Sequence, residues 1–114
     1  MKTIKEWAVE VHDNAVLHGW WEGTYFPLTA EQCLAKHMLF VTEIAEASEE
    51  VRKGSDGTYF GPSGKPEGQA IELADAVIRI MDYCEFVGID LEEAIRIKHE
   101  YNKTRPYRHG GKAA

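Results

Sequence analysis

The sequence predicts an all-α protein, a four-helix bundle with two long central helices lying antiparallel. Three observations carry this. Apolar residues recur at helical spacing, as Leu34, Met38, Val41 and Ala45 do in one stretch and Leu73, Val77, Ile80, Met81 and Cys84 in another. Helix-breaking residues concentrate at three places, around residues 23–27, 54–68 and 88–90. No segment sustains the alternation a half-buried strand needs, and β-branched clusters are absent.

The first helix is expected over residues 3–21, ending near the break Gly23-Thr-Tyr-Phe-Pro27. Thr29 followed by Glu31-Gln32 reads as the cap of the second, over residues 29–53. A loop of about 14 residues follows, rich in Gly and Pro, and loops of that length inside a compact domain are often functional. The third helix is expected over residues 68–87, closed by Gly88. Asp90, with Glu93 three residues on, reads as a capping box opening the fourth, over residues 90–104. Residues 104–114 form an extended tail, because Arg105-Pro-Tyr-Arg-His-Gly-Gly-Lys112 cannot continue a helix.

At 114 residues the whole chain, 1–114, is one domain, long enough to bury about two-thirds of its unfolded surface in one core. Thirteen Lys and Arg against nineteen Asp and Glu give a net charge of -6. That sign argues against duplex nucleic acid as a partner, since such modules carry a basic face to displace phosphate counterions. A small phosphorylated ligand stays open, because a metal ion reverses the local sign. No apolar run approaches the roughly 18 residues of a membrane-spanning helix. The opening MKTIKEWAVEVHDN holds no uninterrupted signal-peptide core, so a cytoplasmic location is expected. Cys33 and Cys84 are neither a disulfide framework nor a metal knuckle, and read as small apolar residues.

The most informative feature is a matched pair of acidic motifs: Glu43-Ile-Ala-Glu46 on the second helix and Glu72-Leu-Ala-Asp75 on the third. At i and i+3 two side chains lie one turn apart and point the same way. Each helix so presents two carboxylates, roughly opposite its apolar stripe. Two readings follow. The acids form an ordinary solvated face, as Glu49, Glu50 and Asp82 are expected to do; or the helices bring all four together around a hard divalent cation, which favours oxygen ligands. Lys98, Asn102 and Arg105 share one face of the fourth helix, and Arg79 lies one turn beyond Asp75; they read as surface charges or as phosphate contacts. His18, Trp20 and Trp21, with Tyr25 and Phe26, form either a helix end packed into the core or a stacking surface for a base. His109 and the other histidines lack metal-ligand spacing, and Gly110-Gly111-Lys112 lacks the context of a phosphate loop.

Taken in order, EIAE, 25 intervening residues, ELAD, then GIDLEEAIRIKHEYNKTR resembles the all-α nucleoside triphosphate pyrophosphohydrolases of the MazG type, over roughly residues 18–112. The resemblance implies a MazG-like bundle and hydrolysis of a (deoxy)nucleoside triphosphate between the α and β phosphates, giving the monophosphate and pyrophosphate. It implies Glu43, Glu46, Glu72 and Asp75 as the catalytic carboxylates and Mg²⁺ ligands, with Mn²⁺ as a substitute, and Glu46 or Glu43 as the group that positions water. It places Lys98, Asn102 and Arg105 near the phosphates and sugar, and the segment His18-Gly-Trp20-Trp21 at the base pocket. Arg79 departs from the aromatic that certain members carry there, which points to a further phosphate contact. The family assembles as dimers or tetramers, so a homodimer or homotetramer is expected. Base preference stays open, as does the choice between clearing damaged nucleotides and setting a normal pool. The alternative is a non-catalytic helical module that binds nucleotides or another protein through the same faces. A helix-turn-helix is disfavoured by the negative charge and the lack of a basic recognition helix.

Overall fold

The computed structural model describes residues 1–54 and 57–108, and it is all-α. Four helices, α1 (Ile4–Leu17), α2 (Ala30–Arg52), α3 (Gln69–Val87) and α4 (Leu91–Lys103), are joined by turns and one small hairpin. Local chemistry sets most of the ends. Thr3 caps α1 in a full capping box with Glu6, and Thr29 caps α2 in another with Gln32. Gly88, at φ 79°, closes α3 in the left-handed conformation a side chain resists. Asp90 accepts from the Glu93 amide as expected, but the Glu93 carboxylate pairs with Arg96 instead of completing a box.

The first helix stops four residues earlier than expected. Gly19, at φ 81°, ends it in a Schellman turn: the Trp20 amide donates to the Ala15 carbonyl and the Gly19 amide to the Val16 carbonyl. Trp20 and Trp21 are thereby turned off the helix axis. The long loop also differs from expectation. It folds back as an antiparallel pair, β1 (Tyr59–Phe60) against β2 (Pro66–Glu67), with Tyr59 opposite Glu67. Of the tail, residues 104–108 leave the helix at Thr104, whereas residues 109–114, with His109 and Gly110-Gly111-Lys112, lie outside the described residues.

Helix α3 is the hub, packed along α2 on one side and α1 on another. Its pairing with α2 is antiparallel. Phe40 and His37 of α2 meet Tyr83, Glu43 meets Arg79, Glu46 meets Glu72, and Glu50 reaches the Gly68 backbone. The buried positions along these seams are small: Ala8, Ala47 and Ala76 let the backbones approach closely, with Tyr83 and Cys84 beside them. Helix α4 packs lightly, against α1 alone among elements with substantial contact. The molecule is therefore a three-helix body with an attached fourth helix. Its Cα radius of gyration, 16.7 Å, exceeds the roughly 13 Å of a compact chain near this length.

The faces of α2 run opposite to a water-soluble single chain. Leu34, Met38 and Val41 are 62%, 60% and 54% exposed, while Glu43 and Glu50 are buried against α3. Glu50 and Asp82, read as solvated surface acids, are corrected here. The Tyr59 hydroxyl donates to Glu50 at 2.8 Å, and Asp82 accepts from two neighbours in a half-buried cluster. The Glu50 contact pins the hairpin to α2. It pulls the Glu50 carboxyl below its usual range and pushes the Tyr59 hydroxyl up to about 12. Among the described residues no helix is long and apolar enough to cross a membrane.

Close approach of α2 and α3 depends on Ala76, so Ala76→Leu is expected to lower stability by about 1–3 kcal/mol in urea unfolding. Ala74→Leu, at an exposed position two residues away, stays within about 0.5 kcal/mol. Equal effects at the two positions would contradict the seam.

Candidate functional site

Along the α2–α3 seam the two acidic motifs face each other. Carboxylate oxygens of Glu43, Glu46 and Glu72 lie within 4.8 Å of one another, running from buried Glu43 through half-buried Glu72 to exposed Glu46. The arrangement follows from the antiparallel pairing, since Glu43 and Glu46 descend α2 as Glu72 is approached along α3. Asp75 lies one turn further along α3. It is near enough to act electrostatically on Glu72, but it is not part of the three-oxygen cluster.

Such crowding has an electrostatic cost, which two features reduce. Burial pushes the Glu72 carboxyl above its usual range, and the Glu46 hydrogen bond together with the charges of Glu46, Asp75 and Glu43 pushes the same way. Glu43 is held by Arg79, whose Nε donates to its Oε1 at 2.7 Å. Arg79 is thus tied first to a carboxylate, and its guanidinium lies 6.0 Å from the Trp20 ring. The donor set is three carboxylates with hard oxygen ligands, which fits Mg²⁺ or Mn²⁺ and not a soft metal.

Beside the cluster opens a cleft of about 760 Å³ between α1, the Trp20–Trp21 turn, α2 and α3. That is within the range of small-molecule sites, and its walls combine Trp20, Leu39 and Ile78 with Asp75, Arg79 and Asp82. The two tryptophans separate here. Trp20 is 67% exposed and lines the cleft. Trp21 is 7% exposed, with one face stacked on Phe86 at 4.0 Å and the Lys36 ammonium 4.3 Å from its ring, so it offers no free face for a base. His18 does not line the cleft; its Nδ1 donates to the Asn14 carbonyl at 2.8 Å at the end of α1. Tyr25 and Phe26 are exposed and also lie outside it.

Lys98, Asn102 and Arg105 are not brought to the carboxylates within one chain. Lys98 and Asn102 border a shallow groove made by α4 residues alone, and Lys98 and Arg105 both lie over Tyr101 of their own segment. Lys36 and Asp82 were not singled out as site residues from sequence, although a signal was present. Lys36 precedes Glu43 by seven residues and Asp82 follows Asp75 by seven, each on the face of its helix that carries the acid. Compared with known families, characterised proteins and solved structures, the chain shows no significant match to any of them.

Removing Arg79 leaves the Glu43 carboxylate buried without a partner, so Arg79→Ala is expected to lower metal-free stability by about 1–3 kcal/mol in urea unfolding. Glu72 gives a pH-dependent test. Its raised folded value means that the stability tied to its protonation is present below the ordinary carboxylate range and lost as pH rises through the folded value. In a chelator, Glu72→Gln should therefore melt above the wild type at neutral pH, with the difference vanishing in acid. A variant that melts lower at neutral pH would contradict this reading.

Proposed function

We propose that the chain is a Mg²⁺-dependent nucleoside triphosphate pyrophosphohydrolase of the MazG type, releasing pyrophosphate and the nucleoside monophosphate. One observation carries the reading: the three-glutamate cluster opens beside a cleft that combines an exposed tryptophan, an arginine and Asp75. An acidic cluster alone is a weak signal. Joined to a nucleotide-sized, partly aromatic cleft, it has the two halves that a triphosphate substrate requires.

Glu43, Glu46 and Glu72 would hold the cation, with Asp75 completing the set from the adjacent turn. When bound, the cation neutralises phosphate charge and draws electron density from the bond that breaks. The remaining roles belong to the chain. Glu46, the most exposed of the three and outside any ion pair among the described residues, is placed to accept a proton from the attacking water. Arg79 sits between the cluster and Trp20, where its guanidinium would meet a phosphate oxygen. Trp20 supplies the stacking face, worth about 1–3 kcal/mol per base in nucleic-acid binders.

Lys98, Asn102 and Arg105 fit this scheme only if a second copy presents them. An oligomer, a homodimer or homotetramer, is also what the exposed apolar face of Leu34, Met38 and Val41 supports, because a stripe of that kind is rarely left to water. A second reading has its own support. Arg79 already neutralises Glu43 without a cation, as a helical binding module with no catalytic step would require.

Pyrophosphate release from a panel of canonical and modified nucleoside triphosphates, with and without Mg²⁺, separates the two. The enzyme reading expects Mg²⁺-dependent release that Asp75→Asn and Glu46→Gln each lower by at least about 100-fold while the protein stays folded. Nucleotide binding by a folded protein, with no turnover of any triphosphate, would establish the binding module instead.

A further inference from the structure

Helix α3 presents Asp75, Arg79 and Asp82 to one cleft, at spacings of four and three residues. At 1.5 Å rise per residue, the seven steps from Asp75 to Asp82 measure about 10 Å along the axis. That is the length scale of a nucleotide from its α-phosphate to the far edge of its base. With the acidic cluster at the Asp75 end and Trp20 beside Arg79, Asp82 stands where a base edge would arrive.

The two oxygens of Asp82 are not equivalent. Its Oδ1 accepts from the Trp21 indole at 2.8 Å and from His12 Nδ1 at 2.7 Å, which therefore carries its proton there, since a carboxylate only accepts. Stacking of Trp21 on Phe86 fixes this arrangement from behind. Its Oδ2 takes no hydrogen bond among the described residues, while Asp82 lines the cleft. Two fixed donors thus orient the carboxylate and leave its second oxygen without a hydrogen bond among the described residues, on a residue that lines the cleft. Of the other polar side chains at that end, Asn14 presents both a donor and an acceptor and so does not discriminate, and the Lys36 ammonium is engaged over the Trp21 ring, 4.3 Å from its centroid.

We propose that Asp82 is the base-reading residue of the cleft, its Oδ2 accepting a hydrogen bond from an exocyclic amino group. The site then prefers cytosine over uracil and guanine over hypoxanthine, because uracil turns a carbonyl lone pair toward the fixed anion and hypoxanthine, lacking the amino group, turns no donor there. This rests on the nucleotide reading given above and deepens it. A lost hydrogen bond to a charged group in a partly open cleft corresponds to a discrimination of about 10- to 100-fold.

The same geometry dictates what Asp82→Asn does. Trp21 and His12 both donate, so they hold the amide oxygen, and the amide NH2 is left facing the cleft. The acceptor becomes a donor, so the pyrimidine preference reverses and the purine preference is lost, hypoxanthine having no acceptor in place of the amino group; a merely structural role for Asp82 would not produce this. Calorimetric titration of the full chain in Mg²⁺ with CMP against UMP, and GMP against IMP, tests this without turnover, since monophosphates are not cleaved. The expected result is tighter binding of CMP and GMP by at least about tenfold in the wild type, with the CMP–UMP order reversed and the GMP–IMP difference lost in Asp82→Asn. Equal binding of the two members of each pair by the wild type, which needs no variant to be folded, overturns the assignment and leaves the nucleotide reading intact. An amino preference kept by folded Asp82→Asn overturns it too. Failure of every nucleotide to bind removes the nucleotide reading itself and this assignment with it.

Discussion

Mutual repulsion among the carboxylates of Glu43, Glu46 and Glu72 is the constraint around which the rest of this structure is arranged. Burial strengthens it, since fewer waters screen the charges in the α2–α3 seam. Two compensations are built in. Arg79 reaches across from α3 to bind Glu43, and Glu72 holds its proton more firmly than an exposed carboxyl does. Neither covers exposed Glu46, which leaves the seam with an excess of negative charge that a cation, or a ligand carrying one, would relieve.

Holding acids inward has consequences for packing. The residues along the seam that permit close approach are alanines, which bury little area each, so the helices must stabilise themselves elsewhere. Small clusters do part of this: Trp21 on Phe86 with Asp82 and His12, Tyr83 with His37 and Phe40, and Tyr59 on Glu50. The apolar stripe of α2, Leu34, Met38 and Val41, remains on the outside. The polar seam and the apolar exterior are two views of one allocation, because an amphipathic helix that turns its acids inward necessarily turns its apolar stripe outward.

Much of the architecture was legible in residue order. Thr29, Gly88 and Asp90 mark helix ends through side-chain caps or a positive φ, effects that act within a few residues and so can be read locally. Periodicity places Glu43 beside Glu46 and Glu72 beside Asp75 on shared faces. Less legible was anything decided by which face meets which helix. Glu50 and Asp82 carry no local mark of burial; their partners Tyr59, His12 and Trp21 are supplied by the hairpin and by α1. Gly19 lies inside the stretch expected to be helical, and its Schellman turn sends the two neighbouring rings apart, Trp20 exposed at the cleft and Trp21 buried against Phe86. Residues of α4 illustrate the same limit, since sharing a face says nothing of what that face meets.

The central claim is that the glutamate cluster takes a divalent cation, and a titration of thermal stability with Mg²⁺ tests it without substrate or assumed chemistry. Binding to the native state alone should raise stability logarithmically with concentration, by about 2.7 kcal/mol at a hundredfold excess over Kd. In Glu72→Gln that rise should be lost or moved to much higher concentration. Wild-type melts that superimpose with and without Mg²⁺, well above millimolar concentration, would contradict the account.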